Sequence, residues 1–405
     1  MSRAYMPAPR WADAATGRTA VSEIITIMII IAVSQGIFLG MVLLFRKKNL
    51  LSNKILAMLF FAISLGMSMN YFKITGNHTA FYYLVYVNIS FYLLYGPLMY
   101  LYTLSITGSM GKQISRYTFH FLPFSIFIIY MIIRHRVIEW DGTMDLRPFQ
   151  ENTSILSYPN LVKLFLVIIL VYIYRSIFIV RRYKQRLKYY FSDVEKIRLI
   201  WLSFFLAGAS VFVVLLIILL FRIKDLRVNY INSGHVLIIL CVYLATIYIS
   251  TFLTIRYPEI FSSGDNDDLP DTGDRAPKYE KLRLDDDIRL HYMEELMQFM
   301  KLHKPYLRDS LTLRDLADLV KIPHHHLSII INTGLNQNFY MFINTYRVDE
   351  ARKMLIDPQY RDVNILNIAF NSGFNSKTTF NTVFKQVTGM TPTEFRKSKF
   401  AAGEL

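Results

Sequence analysis

Hydrophobic positions divide this chain into two different regimes. Up to residue 261 they form long, nearly unbroken runs. Seven of these, near 22–45, 51–72, 79–105, 118–133, 159–180, 197–221 and 234–255, approach the length needed to cross a bilayer. A helical crossing of about 30 Å of hydrocarbon takes about 20 residues. The fourth run is the weakest, being short and holding Pro123. The third is rich in tyrosine and is expected to kink at Gly96-Pro97. The first is too long for a signal-peptide core and is expected to be a retained span. After residue 261 no run of this kind recurs. Apolar residues there return at helical spacing, three or four apart, as in helices that bury one face and wet the other.

The junction between the regimes reads SSGDNDDLPDTGDRAPK over 262–278. Gly, Pro, Ser and five aspartates, with almost nothing apolar, predict a flexible linker. Residues 285–304 then predict an amphipathic connector helix. Asp285, Asp286 and Asp287 supply a cap and a favourable first-turn charge, and Ile288, Tyr292, Leu296, Phe299 and His303 fall on one stripe. Pro305 ends the run. Packing against the following domain and a dimer or relay role both fit such a helix.

Two similar units follow. Residues 311–331 read LTLRDLADLVKIPHHHLSIII and residues 364–384 read NILNIAFNSGFNSKTTFNTVF. Each holds an apolar helix with an alanine at a fixed place, Ala317 or Ala369, then a tight turn and a second helix. Two helices that cross closely at a short turn need a small side chain at the crossing. Gly373, four residues after Ala369, occupies the expected left-handed turn position. Lys321 holds it in the first unit, at a strain of roughly 1–2 kcal/mol. Between the units FYMFINTYRVDEARKML, residues 339–355, predicts a stiff helix of about 25 Å. Such a strut would hold two recognition helices about 34 Å apart, one turn of B-DNA.

Composition sharpens this division. The 405 residues are 53% hydrophobic and 19% charged, with a mean hydropathy of +0.30. That excludes a disordered chain, a collagen and a disulfide scaffold, and argues against a wholly soluble enzyme. The single cysteine, Cys241, excludes an intrachain disulfide and a Cys-based zinc site. The net charge of +15 is no argument for nucleic acid by itself. Residues 1–261 hold 26 Lys+Arg against 10 Asp+Glu, whereas residues 279–405 hold 17 against 15. Excess positive charge beside apolar runs is what the positive-inside rule expects. Segments 46–54, 106–117 and 181–198 together carry 13 Lys+Arg and the alternate loops 7. The richer set is expected inside, which puts everything after residue 256 in the cytoplasm. Arg3, Arg10 and Arg18 dissent.

From about residue 288 to 398 the chain resembles the AraC-type DNA-binding domain. The second unit carries most of the likeness: Ile368-Ala369, Gly373-Phe374, Ser376, Phe380, Phe384-Lys385, Thr388-Gly389, Thr391-Pro392 and Phe395-Arg396. In the first half LTLRDLADL, Leu327-Ser328, Ile331-Asn332, Phe339 and INTYRVDEA match. The arrangement resembles bacterial AraC-type regulators fused to several membrane spans. The resemblance implies sequence-specific binding of double-stranded promoter DNA, with the second helix of each unit in a major groove. By alignment it assigns base reading to Lys377, Thr378, Asn381 and Thr382 in the second unit, with Lys385 and Arg396 near phosphates. In the first unit it assigns His325, Ser328 and Ile329. On 376–388 the residues themselves agree in part. Phe380, Phe384 and Val387 claim the inner face and leave Lys377, Thr378, Asn381 and Lys385 outward. Lysine reaches guanine acceptors, asparagine pairs with adenine, and threonine does either weakly. Ile329 stands where a polar reader is common, so the first unit is expected to read bases less well.

The expected architecture is therefore all-α. A tail (1–21) precedes a seven-helix transmembrane bundle (22–261), the linker (262–278) and the connector (279–304). A double helix-turn-helix domain (288–398) follows, with units at about 312–332 and 364–388. The expected function is a membrane-embedded one-component transcription regulator in the bacterial inner membrane. Its bundle would sense an extracytoplasmic or lipid-borne signal. A domain charge of only +2 leaves little non-specific affinity, so tight binding is expected to take a homodimer on repeated sites. A flexible linker transmits no torque, so the expected signal is a change in bundle association. Membrane lipid and RNA polymerase complete the set of candidate partners, and no cofactor or metal is expected.

Other features have plainer readings. Consecutive His324, His325 and His326 point about 100° apart on a helix and do not converge on one ion. The basic run RRYKQRLK at 181–188 reads as an ordinary cytoplasmic loop, or as a binder of anionic lipid. Gly36 and Gly40, and the small residues 207–210, read as close helix packing. Gln35, Asn70, Asn88, His120, Lys163 and Arg175 are polar within apolar runs and are candidates for ligand contact, although the last two lie near run ends and snorkel. No paired carboxylates read as a catalytic pair at helical spacing, and no G-x-S-x-G, H-E-x-x-H or P-loop occurs, so an enzyme is not expected. Two rival readings are a transporter or membrane enzyme with a regulatory DNA-binding tail, and a membrane adaptor whose C-terminal helices bind protein.

Overall fold

The computed structural model describes residues 20–46, 50–74, 78–110, 115–141, 158–193, 197–222, 234–256 and 285–401. The tail and the 262–278 linker lie outside these residues. The described chain is almost wholly helical. It divides into two compact units: Met1–Ile179 with Trp201–Gly264, and Val180–Ile200 with Asp265–Leu405.

The first unit holds apolar helices at all seven expected places. They are α1 (Ala20–Leu44), α2 (Leu50–Ile74), α3 (His78–Ile106), α4 (Leu122–Asp141), α5 (Tyr158–Leu187, whose last turns belong to the second unit), α6 (Ile197–Arg222) and α7 (Gly234–Arg256). Among the described residues six stretches are long and apolar enough to cross a membrane. The seventh, Leu240–Leu253, is shorter than a span. The fourth apolar stretch is assembled from a single turn, Ser115–Thr118, a tight turn Phe119–Phe121, and α4. Pro123 falls in the first turn of α4, where a missing N–H leaves no helical bond unmade. Pro97 lies inside α3, which continues past it.

Helix α1 packs on α2 and α7, and α2 on α3. A Cβ on Gly36 would collide with Ser64 Oγ, and one on Gly40 would sit 2.6 Å from the Phe61 ring. The G-x-x-x-G pair is thus used for close packing of α1 on α2. Polar groups in this unit pair with aromatics: His120 Nδ1 lies 3.0 Å from the Tyr172 hydroxyl, and Trp201 Nε1 donates to Tyr102 at 3.0 Å. The Lys163 ammonium sits 4.9 Å from the Phe221 ring centroid. The side chains of Asn70 and Asn88 lie outside the described residues.

The second unit is built on α8 (Asp286–His303), α9 (Leu313–Val320), α10 (His324–Ile329), α11 (Phe339–Ile356), α12 (Ile365–Asn371), α13 (Lys377–Thr388) and α14 (Pro392–Ala401). Local chemistry fixes their starts. Thr312 and Asp315 form a reciprocal capping box on α9, and Asn338, Asn364 and Ser376 side chains cap α11, α12 and α13. The left-handed turn residues fall where the sequence puts them: Lys321 at φ 62° and Gly373 at φ 93°.

The unit has two cores. One gathers Leu296 and Met300 of α8 with Leu316, Ala317, Leu327, Ile331, Phe339 and Ile343. The other gathers Val348, Ala351, Ile368, Ala369, Phe374, Phe380 and Phe384. Each fully buried Leu or Phe contributes about 1.5–3 kcal/mol by leaving water. Helix α11 feeds both cores, the first from its start and the second from its later turns, so one rigid element orients both. The connector packs on the first core as one of its two readings expected, but its stripe is shifted. Met300 is buried, whereas Ile288 and His303 are exposed.

Candidate nucleic-acid interface

The candidate interface consists of two helix-turn-helix units, α9–α10 and α12–α13, with α11 between them. In the second unit Phe380, Val383 and Phe384 are fully buried and hold α13 down, while Val387 is half-buried. The opposite side carries Lys377, Thr378, Thr382 and Lys385, all exposed, and the half-buried Asn381. Gly389, left-handed at φ 79°, ends the helix. Two cations, hydroxyls and an amide therefore share one solvent-facing surface, which matches the donors and acceptors that base edges and phosphates offer.

The first unit differs from the expectation. His325 is exposed at the start of α10, but Ser328 and Ile329 are only 3% and 5% exposed. The Ser328 hydroxyl and carbonyl both accept from Asn332 Nδ2, at 3.2 and 2.8 Å. Alignment put these two residues in the groove, and the fold corrects that: neither presents a side chain to solvent. Past Ile329 the helix widens into one π turn, Ile330–Gly334. Arg396 is a second correction. Both its terminal nitrogens donate to the Val363 carbonyl at 3.0 Å, and its Nε is buried. The guanidinium ties α14 to the turn before α12 and is not free for a phosphate.

The His325 ring contacts those of His324 and His326, and among the described residues no group of side chains is arranged to hold a metal ion. Burial, and then the charge of His325, lowers the pKa of His326 below its ordinary 6.5. Its Nδ1 is buried without a hydrogen-bond partner among the described residues. The folded state therefore prefers the neutral ring. The corresponding stability is full above pH 6.5 and is lost as pH falls through the lowered folded value. Hydrogen exchange in α10, corrected for intrinsic rate, should accelerate on mild acidification. His326→Leu should flatten that dependence. An unchanged slope in the variant would contradict the assignment.

Sequence reasoning missed Arg347. It lies in α11, is 1% exposed, and anchors the seam between the two units. Its Nε donates to the Tyr306 carbonyl at 2.7 Å, Nη1 to Asn344 Oδ1 at 3.0 Å, and Nη2 to the Arg308 carbonyl at 2.6 Å. Burial lowers its pKa to about 10, against the opposing pull of Asp193 and Asp309. Beside it, Glu350 accepts from Lys304 at 2.7 Å and Lys353 at 3.4 Å. Burial alone would raise the Glu350 carboxyl, but the two ammonium groups outweigh it and hold the group below the usual range.

This arrangement defines a helix-turn-helix DNA-binding domain, and a family model described as a helix-turn-helix domain matches residues 316–398. The domain is of the AraC type. An uncharacterized HTH-type transcriptional regulator of Staphylococcus aureus (strain COL) is 30% identical over 112 residues, 28% of this chain and 14% of that protein. The uncharacterized HTH-type transcriptional regulator YdeC of Bacillus subtilis (strain 168) is 26% identical over 110 residues, 27% of this chain and 36% of its own. The chain thus spans only a minor part of the length of these curated relatives. No solved structure matches.

Proposed function

We propose that the chain is a membrane-embedded transcription regulator. On this reading its C-terminal unit binds promoter DNA sequence-specifically and its apolar helices sense a signal in or beyond the bilayer. The observation that carries the reading is the pairing of two helix-turn-helix units on one shared helix, α11, behind a set of apolar helices. Charge supports the orientation. The loops richest in Lys and Arg lie on the same predicted side as the DNA-binding unit, where chromosomal DNA is accessible. Lys377, Thr378, Asn381 and Thr382 are the base readers, Lys385 meets phosphate, and His325 contributes from the first unit. With Ser328 and Ile329 buried, most discrimination falls to the second unit. Weak phosphate neutralisation by one domain favours two copies on DNA.

Each good base contact is worth about 1–3 kcal/mol. Lys377→Ala with Asn381→Ala should therefore lower promoter occupancy by at least about tenfold. Chromatin immunoprecipitation of the tagged full-length protein from isolated membranes measures this directly. Unchanged occupancy in a folded variant would favour the protein-binding adaptor instead.

A further inference from the structure

The second unit includes a piece of chain that is remote in sequence from the DNA-binding domain: residues 188–193, directly after α5. This segment is docked on the domain by a dense set of bonds. The Lys188 carbonyl accepts the Tyr340 N–H at 2.9 Å, and the Tyr190 carbonyl accepts the Leu313 N–H at 2.9 Å. Leu313 opens α9 and Tyr340 lies in the first turn of α11. Both amides belong to the N-terminal groups that a helix cannot satisfy by itself. The loop therefore caps the first helix of the first reading unit and the strut as well.

Ser192 reaches the arginine hub. Its hydroxyl donates to the Leu311 carbonyl at 2.7 Å and accepts from Arg347 Nη2 at 3.3 Å, while its carbonyl accepts Asn344 Nδ2 at 3.0 Å. Asp193 Oδ2 accepts from Asn375 Nδ2 at 2.8 Å, one residue before the cap of α13. Phe191 pairs as an isolated bridge with Thr312, and Tyr190 packs on the first core. Lys188 and residues 190–193 thus touch α9, α11 and the entry to α13, which are the elements that set the mutual orientation of the two units. Phe191 also clusters with Tyr183 and Leu187 on the last turns of α5, the helix whose apolar stretch Asn160–Leu187 is long enough to span a bilayer.

We infer that residues 188–193 are the relay of this regulator: docked, they lock the two helix-turn-helix units in the relation that binds DNA, and movement of α5 releases them. The inference rests on the regulator reading and makes it specific. Signal passes through a short, bonded loop and does not need the Gly/Asp-rich linker or a change in bundle association. Ser192 and Asp193 act as positioning residues and touch no base.

The test uses the full chain in lipid nanodiscs, with residues 188–193 replaced by Gly/Ser of equal length. Amide exchange at Leu313 and Tyr340 should quicken about tenfold or more, and retention of a random-sequence DNA duplex pool should fall at least about tenfold. Lys377→Ala/Asn381→Ala should lose DNA while keeping the protection of both amides. That separates failure of the relay from failure of the DNA-binding reading. Unchanged exchange in the Gly/Ser variant would overturn the docking. Faster exchange with undiminished DNA retention would overturn the relay. Should the Gly/Ser variant misfold, Asp193→Cys with Asn375→Cys in a Cys241→Ser background reads the same contact. A disulfide formed on mild oxidation, with DNA retention preserved, is expected, and its absence would sink the proposal.

Discussion

Arg347→Ala should destabilise the DNA-binding unit by about 2–4 kcal/mol, among the largest effects of any single substitution in it. The guanidinium serves five acceptors: the carbonyls of Tyr306, Arg308 and Asp309, Asn344 Oδ1 and Ser192 Oγ. Removing it leaves buried carbonyls unsatisfied, at about 1–3 kcal/mol each, plus a cavity. Against this stands the desolvation that lowers its pKa to about 10, a cost the alanine variant no longer bears. The first effect wins because every nitrogen of the charged group donates a hydrogen bond. Lysine does not substitute, since a single ammonium lacks the forked geometry that reaches the Tyr306 carbonyl, Asn344 Oδ1 and the Arg308 carbonyl from three different nitrogens. Hydrogen exchange of α11 and α12 in the full chain measures the loss. Protection unchanged in Arg347→Ala would mean that the seam is held by its two apolar cores alone.

The elements of the reading unit were legible because their determinants are local. Ala317 and Ala369 mark helix crossings and are buried, and the positive φ of Lys321 and Gly373 follows from turns that admit no other backbone. The apolar period of 376–388 exposes Lys377, Thr378 and Lys385 without reference to anything distant. Arg347 left no such mark. In the sequence it is one more polar residue of an 18-residue helix, and three of its five acceptors are main-chain carbonyls, which any residue type supplies. The 188–193 loop was hidden for the same reason. Residues 181–188 look like a cytoplasmic basic run, while the bonds that dock the following residues join positions 119 to 182 apart and leave no periodicity. Ser328 and Ile329 went astray in the other direction: alignment supplied a role that their burial denies. In the first unit, therefore, family position was a poorer guide than side-chain environment.

Gly373→Ala should be at least as damaging as loss of Arg347, at about 2–5 kcal/mol. Two penalties coincide at this position. At φ 93° a side chain sits in a region that L-residues avoid, which costs about 1–2 kcal/mol. A Cβ there would also collide with the Tyr306 carbonyl oxygen and come within 2.9 Å of Leu307 Cα and 3.1 Å of Arg347 Nε. The first two are backbone atoms and do not swing aside, so overpacking adds about 1–3 kcal/mol. Gly389 provides the control. It has φ 79°, but nothing lies within 4 Å of its added Cβ, so Gly389→Ala carries the conformational cost alone. Exchange protection of α12 and α13 should drop markedly in the first variant and only slightly in the second. The functional consequence follows from location. Gly373 forms the turn between α12 and α13, and relief of the collision has to rotate the base-reading helix away from the seam. Promoter occupancy should then fall even at temperatures where the variant stays folded. Equal losses of protection at the two glycines would mean that the Tyr306–Leu307 turn yields, and that the seam is softer than its bonds imply.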